Sequence, residues 1–251
     1  GEVTDELCLI HDPCVNNATC NDVFFNDYRC DCQVGFWGKN CSSIDYCVHT
    51  TCPGAESKCV NNEDGFECVS TATFDGSTSL ITYQNDHTQN MTSLKATFKW
   101  RSRKANGTIL HMGAAQHYIT IGMSRGYLEV KYNLGDIDMN ISIFPFQIDT
   151  ADAAWNEGEF VFHEQYISYK VNKQGFKTPE VSSRTAKQNI GLSSLLQSNP
   201  KIFVGGVEHG YLKKNGPMFL NDEYFKGCLS EIRIGGLLLP FFSDEQLGDK
   251  S

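Results

Sequence analysis

Ten of the eleven cysteines in this chain lie within its first 70 residues, at positions 8, 14, 20, 30, 32, 41, 47, 52, 59 and 68. A stretch that short cannot bury enough apolar surface to fold on a core alone, so its cysteines must supply constraint as disulfides or as metal ligands. Zinc sites usually bring Cys-x2-Cys pairs, often with spaced histidines, and no such pair occurs here. Disulfides are therefore expected, and they imply an oxidising compartment. Four Asn-x-Ser/Thr sequons, at Asn17, Asn90, Asn106 and Asn140, point the same way. Spacing alone leaves the pairing of the first six cysteines open.

Charge divides where the cysteines do. Residues 1–70 hold 12 acidic and 3 basic side chains, and residues 71–251 hold 18 of each. Nucleic-acid binding needs a net positive surface and is not expected. The longest near-continuous apolar stretch, Leu237–Phe242, is far short of the roughly 20 residues of a membrane span. No signal peptide opens the chain, so an internal fragment or a mature form is expected, with any membrane anchor outside it. No Gly-x-Ser-x-Gly elbow is present, and His163-Glu164 lacks the second histidine of a His-Glu-x-x-His site. No enzyme is expected.

From residue 71 the pattern is β. Leu94, Ala96, Phe98 and Trp100 alternate with Lys95, Thr97, Lys99 and Arg101, as on a half-buried strand. Ile119, Ile121 and Met123 alternate likewise. Leu128, Val130, Tyr132 and Leu134 do so after Ser124-Arg125-Gly126, which predicts a hairpin. Phe160 and Phe162 lead to Ile167–Val171 and a turn over Asn172–Gly175. A helical turn is expected near Ser193–Leu196. Short strands and frequent turns predict a β-sandwich.

Cys8 to Cys41, with Cys30-Asp31-Cys32 and Gly35-Phe36-Trp37-Gly38-Lys39-Asn40-Cys41, resembles an epidermal growth factor (EGF)-like module, assigned to residues 4–42. That resemblance implies the pairs Cys8–Cys20, Cys14–Cys30 and Cys32–Cys41. Cys47, Cys52, Cys59 and Cys68 resemble the first four positions of a second, truncated module over 43–70, implying Cys47–Cys59 and Cys52–Cys68. Five residues between Cys41 and Cys47 predict a stiff junction. In the calcium-binding subtype of this family, oxygen ligands come from an acidic leader and an Asn or Asp after the third cysteine, which maps onto Asp45 and Asn61. Ser43 and Tyr46 stand where that subtype has acids. Cys14-Val15-Asn16-Asn17-Ala18-Thr19-Cys20 fits the family's O-fucose pattern, making Thr19 a sugar candidate that competes with the Asn17 sequon.

Residues 71–251 resemble a laminin G-like domain. The markers are Phe74-Asp75-Gly76, Gly126-Tyr127-Leu128-Glu129-Val130, Ile202-Phe203-Val204-Gly205-Gly206 and Phe225-Lys226-Gly227-Cys228-Leu229 with Ile232-Arg233-Ile234-Gly235-Gly236. The implied fold is a jelly roll of two curved antiparallel sheets. Cys228 stands where that family has a disulfide cysteine whose partner lies near the domain's C-terminal end, and truncation of the partner is expected rather than a reactive thiol. Asp136-Ile137-Asp138-Met139-Asn140 is not an EF-hand, because Ile141 and Gln147 occupy the Gly and Glu positions. Resemblance to calcium-binding members makes Asp136 and Asp138 candidate calcium ligands. Lys99, Arg101 and Arg103 share a strand face beside Lys104, which in some members contacts heparin or acidic glycans and otherwise is a solvated face.

EGF-like modules followed by a laminin G-like domain, together with the ending Phe225–Pro240, resemble the Crumbs-type cell-surface proteins most. The expected role is a non-catalytic adhesion region, involved in apical-basal epithelial polarity, on the extracellular side of the plasma membrane. Its partner is an extracellular protein, another copy of itself included, or a glycan. The alternative is a secreted guidance or matrix ligand that binds a receptor or heparan sulfate.

Overall fold

The computed structural model describes residues 7–23, 27–54, 56–84, 92–114, 117–135, 141–143, 150–177, 191–208, 211 and 224–241. The chain divides into two compact units, with the boundary between Ser70 and Thr71.

The first unit consists of short elements tied by five disulfides: Cys8–Cys20, Cys14–Cys30, Cys32–Cys41, Cys47–Cys59 and Cys52–Cys68. A short helix α1 (Leu7–His11), not expected from the sequence, precedes a hairpin of β1 (Thr19–Val23) and β2 (Asp27–Asp31). Asn16 and Asn17 both have positive φ, and Ala18 N–H donates to Val15 C=O, a two-residue turn that suits asparagine. β3 (Phe36–Trp37) pairs with β4 (Ser43–Ile44), and the Trp37 indole donates to Ile44 C=O at 3.0 Å. These contacts brace the junction between the two disulfide groups. A 3-10 turn (Tyr46–His49) and the hairpin of β5 (Lys58–Asn62) and β6 (Gly65–Val69) complete the unit.

The second unit carries β7 (Thr71–Asp75), β8 (Ile81–Gln84), β9 (Ser93–Ser102), β10 (Gly107–Ala114), β11 (His117–Ser124), β12 (Tyr127–Asn133), β13 (Ile141–Ile143), β14 (Asn156–His163), β15 (Ile167–Val171), β16 (Gln174–Lys177), α2 (Gly191–Gln197), β17 (Lys201–Val204), β18 (Lys226–Ile234) and β19 (Leu237–Leu238). One sheet runs β13-β12-β11-β10-β17-β8. The other runs β16-β15-β14-β9-β18-β19, with β7 also on β18. All named pairings are antiparallel, and the two sheets share one core, the expected sandwich.

The alternation read on β9 holds: Leu94, Ala96, Phe98 and Trp100 are buried. Phe98 stacks on Phe160, and Tyr132 on β12 meets Phe162 on β14 edge-on at 5.9 Å, joining the sheets. The β11–β12 turn is Arg125-Gly126, both at positive φ. The β15–β16 turn is confined to Asn172 and Lys173, so Gly175 belongs to β16 rather than to the turn. On β11 the alternation breaks, since Tyr118 and Thr120 are buried along with Ile119 and Ile121. The reason is a second cluster on the outer side, where His111, Phe203 and Tyr211 pack beside them.

Two glycines explain the motif spacing. A Cβ on Gly205 (φ +84°) would lie 2.1 Å from the Phe74 ring, so the opening Phe74 packs on the closing Gly205. A Cβ on Gly227 (φ +149°) would meet Arg101 C=O at 2.2 Å, so glycine lets β18 approach β9.

Candidate functional site

The structure brings Asp45 and Asn61 together. The Asn61 amide donates to Asp45 Oδ1 at 2.8 Å, and Cys47 N–H donates to the same oxygen at 3.0 Å. Asn61 Oδ1 accepts from Tyr46 N–H (2.8 Å) and Cys47 N–H (3.2 Å), which fixes which way the amide faces. Both oxygens face N–H donors at the start of the 3-10 turn, with Asp45 as its cap. A calcium ion placed against Asp45 Oδ1 or Asn61 Oδ1 would meet the positive ends of those N–H dipoles, so in this arrangement these two oxygens act as caps, while Asp45 Oδ2 takes no part in these bonds. Among the described residues no three His, Cys, Asp or Glu gather as a metal set. Asp136 and Asp138 lie outside the described residues.

Asn17 and Thr19 are both exposed, on the turn and at the start of β1. Asn106 is half-buried, and its Oδ1 accepts from Arg125 N–H at 2.8 Å, leaving its amide nitrogen out of that contact. Asn90 and Asn140 lie outside the described residues.

The basic face read on β9 divides in two. Its first residue is neutralised: Lys99 pairs with Glu231 at 2.6 Å, as Lys95, earlier on the strand, does with Glu159 at 2.8 Å. The rest of it gathers cations. Arg101 lies 5.1 Å from the Trp155 ring, in cation–π range, and its Nη2 donates to Cys228 Sγ at 3.4 Å. Arg101, Arg103, Lys104 and Lys226 line a groove of about 520 Å³ with Ala153 and Cys228. It adjoins a hollow of about 730 Å³ that shares Lys104 and Lys226 and reaches Asn106. All four cations are exposed. Asp75, opposite Lys226 in the β7–β18 register, is engaged elsewhere. N–H groups of Thr78, Ser77 and Ser79 and the Thr78 hydroxyl donate to it, holding its carboxyl far below the usual carboxylate range. Sequence reasoning missed Lys226, Trp155 and Glu231, because only the pairing of β9 with β18 and with β14 places them there. Cys228 is free among the described residues, half-buried beside Thr73 and Arg101.

His111 is fully buried in the outer cluster of the six-stranded sheet. Its Nδ1 lies 2.7 Å from Thr120 Oγ1, its Nε2 has no hydrogen-bond partner among the described residues, and burial pushes its pKa down to about 4. The Thr120 hydroxyl beside it is buried as deeply as the ring, out of reach of solvent, so the cluster reads as packing.

The laminin G domain family model matches residues 100–237, and the EGF-like domain model matches residues 8–40. The chain belongs to the laminin G domain family and carries an EGF-like domain ahead of that domain. It is 26% identical over 245 residues to protein crumbs homolog 1 of Mus musculus, a span that is 96% of this chain and 16% of that protein. It is 24% identical over 239 residues to a basement membrane proteoglycan of Caenorhabditis elegans, covering 92% of this chain and 6% of the relative. The chain thus spans less than a fifth of either protein. The LG1-3 region of the laminin alpha2 chain superposes with a TM-score of 0.55 at 18% identity, over 67% of this chain and 31% of that one, a likeness of fold. No helix among the described residues is long and apolar enough to cross a membrane.

Proposed function

We propose that this chain is a non-catalytic interaction region of an extracellular, cell-surface protein of the crumbs kind, acting in apical-basal epithelial polarity and engaging another copy of itself. One observation carries the reading: the alignment with crumbs homolog 1 runs through the disulfide-rich and the laminin G parts together, over 96% of the chain. The modules take residues 4–42, 43–70 and 71–251, and anchoring comes from segments outside this chain. In this reading the disulfide groups act as rigid spacers and the sandwich presents the recognition surface. Asn17, Asn90, Asn106, Asn140 and Thr19 carry glycans in secretory cells. Asp45 and Asn61 serve as a cap, so self-association does not depend on calcium at that pair. Multi-angle light scattering of the chain, with calcium and with EDTA, tests this. A mass above the monomer in both conditions is expected, and a monomer at every concentration overturns self-association.

A second reading is a secreted matrix ligand that binds heparan sulfate. The proteoglycan match and the Arg101, Arg103, Lys104 and Lys226 groove favour it. Heparin chromatography separates the two readings, because elution only at high salt favours the matrix ligand.

A further inference from the structure

The two units carry unlike charge. Residues 1–70 have a net charge of −9, while residues 71–251 are neutral overall yet gather four exposed cations in one groove. Arg103, Lys104 and Lys226 make no ion pair among the described residues, whereas Lys95 and Lys99 are already paired.

The acids of the first unit are not equally available. Asp27 pairs with Lys39 and Asp31 with Arg29. Asp22 accepts from Cys8 N–H, and Asp45 is the cap. Glu63 and Asp64 form the two-residue tip of the β5–β6 hairpin, exposed and in no ion pair among the described residues. Exposed Phe66 and Val60 flank them, each 45% accessible. An acidic tip with an aromatic and a branched aliphatic neighbour is a compact counterpart to a basic groove beside Trp155.

We propose that the groove of Arg101, Arg103, Lys104 and Lys226 docks the Glu63-Asp64 hairpin of a second copy of this chain, head to tail. The inference rests on the self-association reading and names the surfaces it uses. Exposed ion pairs are individually weak, so the apolar flanks Val60, Phe66 and Trp155 provide contact area while the charges set approach and orientation. A long acidic glycan fits less well. The positive patch is short, and a chain laid along β9 would next meet Glu231 and Glu159. With a Debye length of about 8 Å at physiological salt, such a patch acts over short range and suits a small, shaped partner.

The test is sedimentation equilibrium on the full chain, comparing wild type, the groove variant K104E/K226E, the tip variant E63K/D64K, and the chain carrying all four changes. All four positions are exposed, and circular dichroism checks that each variant folds. The wild type is expected to associate, and each double variant to weaken association at least about tenfold. The quadruple variant is expected to recover it, and so is an equimolar mixture of the two double variants, in which intact groove meets intact tip and reversed groove meets reversed tip. A monomeric wild type overturns the self-association reading itself. Association unchanged by either reversal overturns this interface and leaves that reading standing. A groove variant that loses heparin binding but keeps full self-association assigns the groove to a glycan and also overturns the proposal, as does salt-sensitive compaction without any dependence on concentration, which places the contact within one chain.

Discussion

The first 70 residues and the sandwich behind them solve the same problem by opposite means. In the first unit the one hydrophobic residue that is fully buried among those described is Cys41, itself half of a disulfide. In the second, buried side chains from both sheets and α2 form one cluster, with Trp100, Phe98, Phe160 and Phe162 at its centre. Covalent crosslinks stabilise mainly by restricting the unfolded chain, whereas a core stabilises by removing apolar surface from water. The first unit can therefore leave its described side chains, Cys41 apart, exposed or half-buried, with Val34, Trp37, Ile44 and Phe66 among the exposed, without losing its fold. The second presents function through what lies outside its core.

The largest effect is expected where the core is densest. Trp100→Ala removes a fully buried indole between Phe98 and the β18 strand and should cost the sandwich about 3–5 kcal/mol in urea denaturation. The Trp100 Nε1 atom is buried with no hydrogen-bond partner among the described residues, so Trp100→Phe should cost much less. Equal losses for the two substitutions would mean that packing volume is not what Trp100 supplies. Neither change should loosen the first unit, and intact mass should still show its five disulfides.

The reciprocal experiment removes a crosslink. The double change Cys14→Ala, Cys30→Ala opens the link between the start of the turn at Asn16 and β2, and should cost the first unit about 2–5 kcal/mol. Limited proteolysis should then clear residues 1–70 and leave the rest. Simultaneous digestion of both units would show that the sandwich leans on the crosslinked unit for its stability.

Acid should separate the units as well. With its folded pKa pushed down to about 4, His111 binds a proton less readily folded than unfolded. Its contribution is therefore full above about pH 6.5 and is lost as pH falls toward about 4, on the order of 3 kcal/mol. The groups around it, Thr120, Tyr118 and Tyr211, offer no negative charge at these pH values to hold the protonated ring. Asp75, held far below the usual carboxylate range, loses its contribution only as the solution becomes more acidic still. Denaturation midpoints of the sandwich between pH 7 and 4 should slope downward in the wild type and flatten in His111→Gln. An unchanged slope would remove His111 from the account.

What the residues disclosed follows the same division. Period-two alternation on β9 and the positive-φ turn at Arg125-Gly126 are local, and both were legible. The outer cluster of His111, Thr120 and Phe203 was not, because it forms where three strands align and where Tyr211 arrives from far along the chain. The basic groove was half legible. Arg101, Arg103 and Lys104 are near neighbours in sequence, but Lys226 joins them only because β18 runs beside β9, and Glu231 cancels Lys99 only through a bulge between Ser230 and Arg233. The candidate ligands Asp45 and Asn61, paired by resemblance, stand within hydrogen-bond distance of each other. What side-chain spacing does not contain is the direction of the Tyr46 and Cys47 N–H groups that occupy their oxygens.

The smallest expected effect probes that cap. Asp45→Ala removes one acceptor for Cys47 N–H and the partner of the Asn61 amide, and a lost cap of this kind costs about 1 kcal/mol. Asn61 Oδ1 still accepts from Tyr46 and Cys47, so the turn keeps a partner, and Cys47–Cys59 still holds it in place. The wild type and Asp45→Ala should therefore differ only slightly in midpoint in oxidised protein, and the difference should vanish once the disulfides are reduced, because the unit then has no fold for the cap to stabilise. Addition of calcium should leave both midpoints unmoved if the pair is a cap. A calcium-dependent rise in the wild type that Asp45→Ala abolishes would show the oxygens turning outward to a cation. That outcome would make ion binding, alongside crosslinking, part of how the first unit keeps its shape.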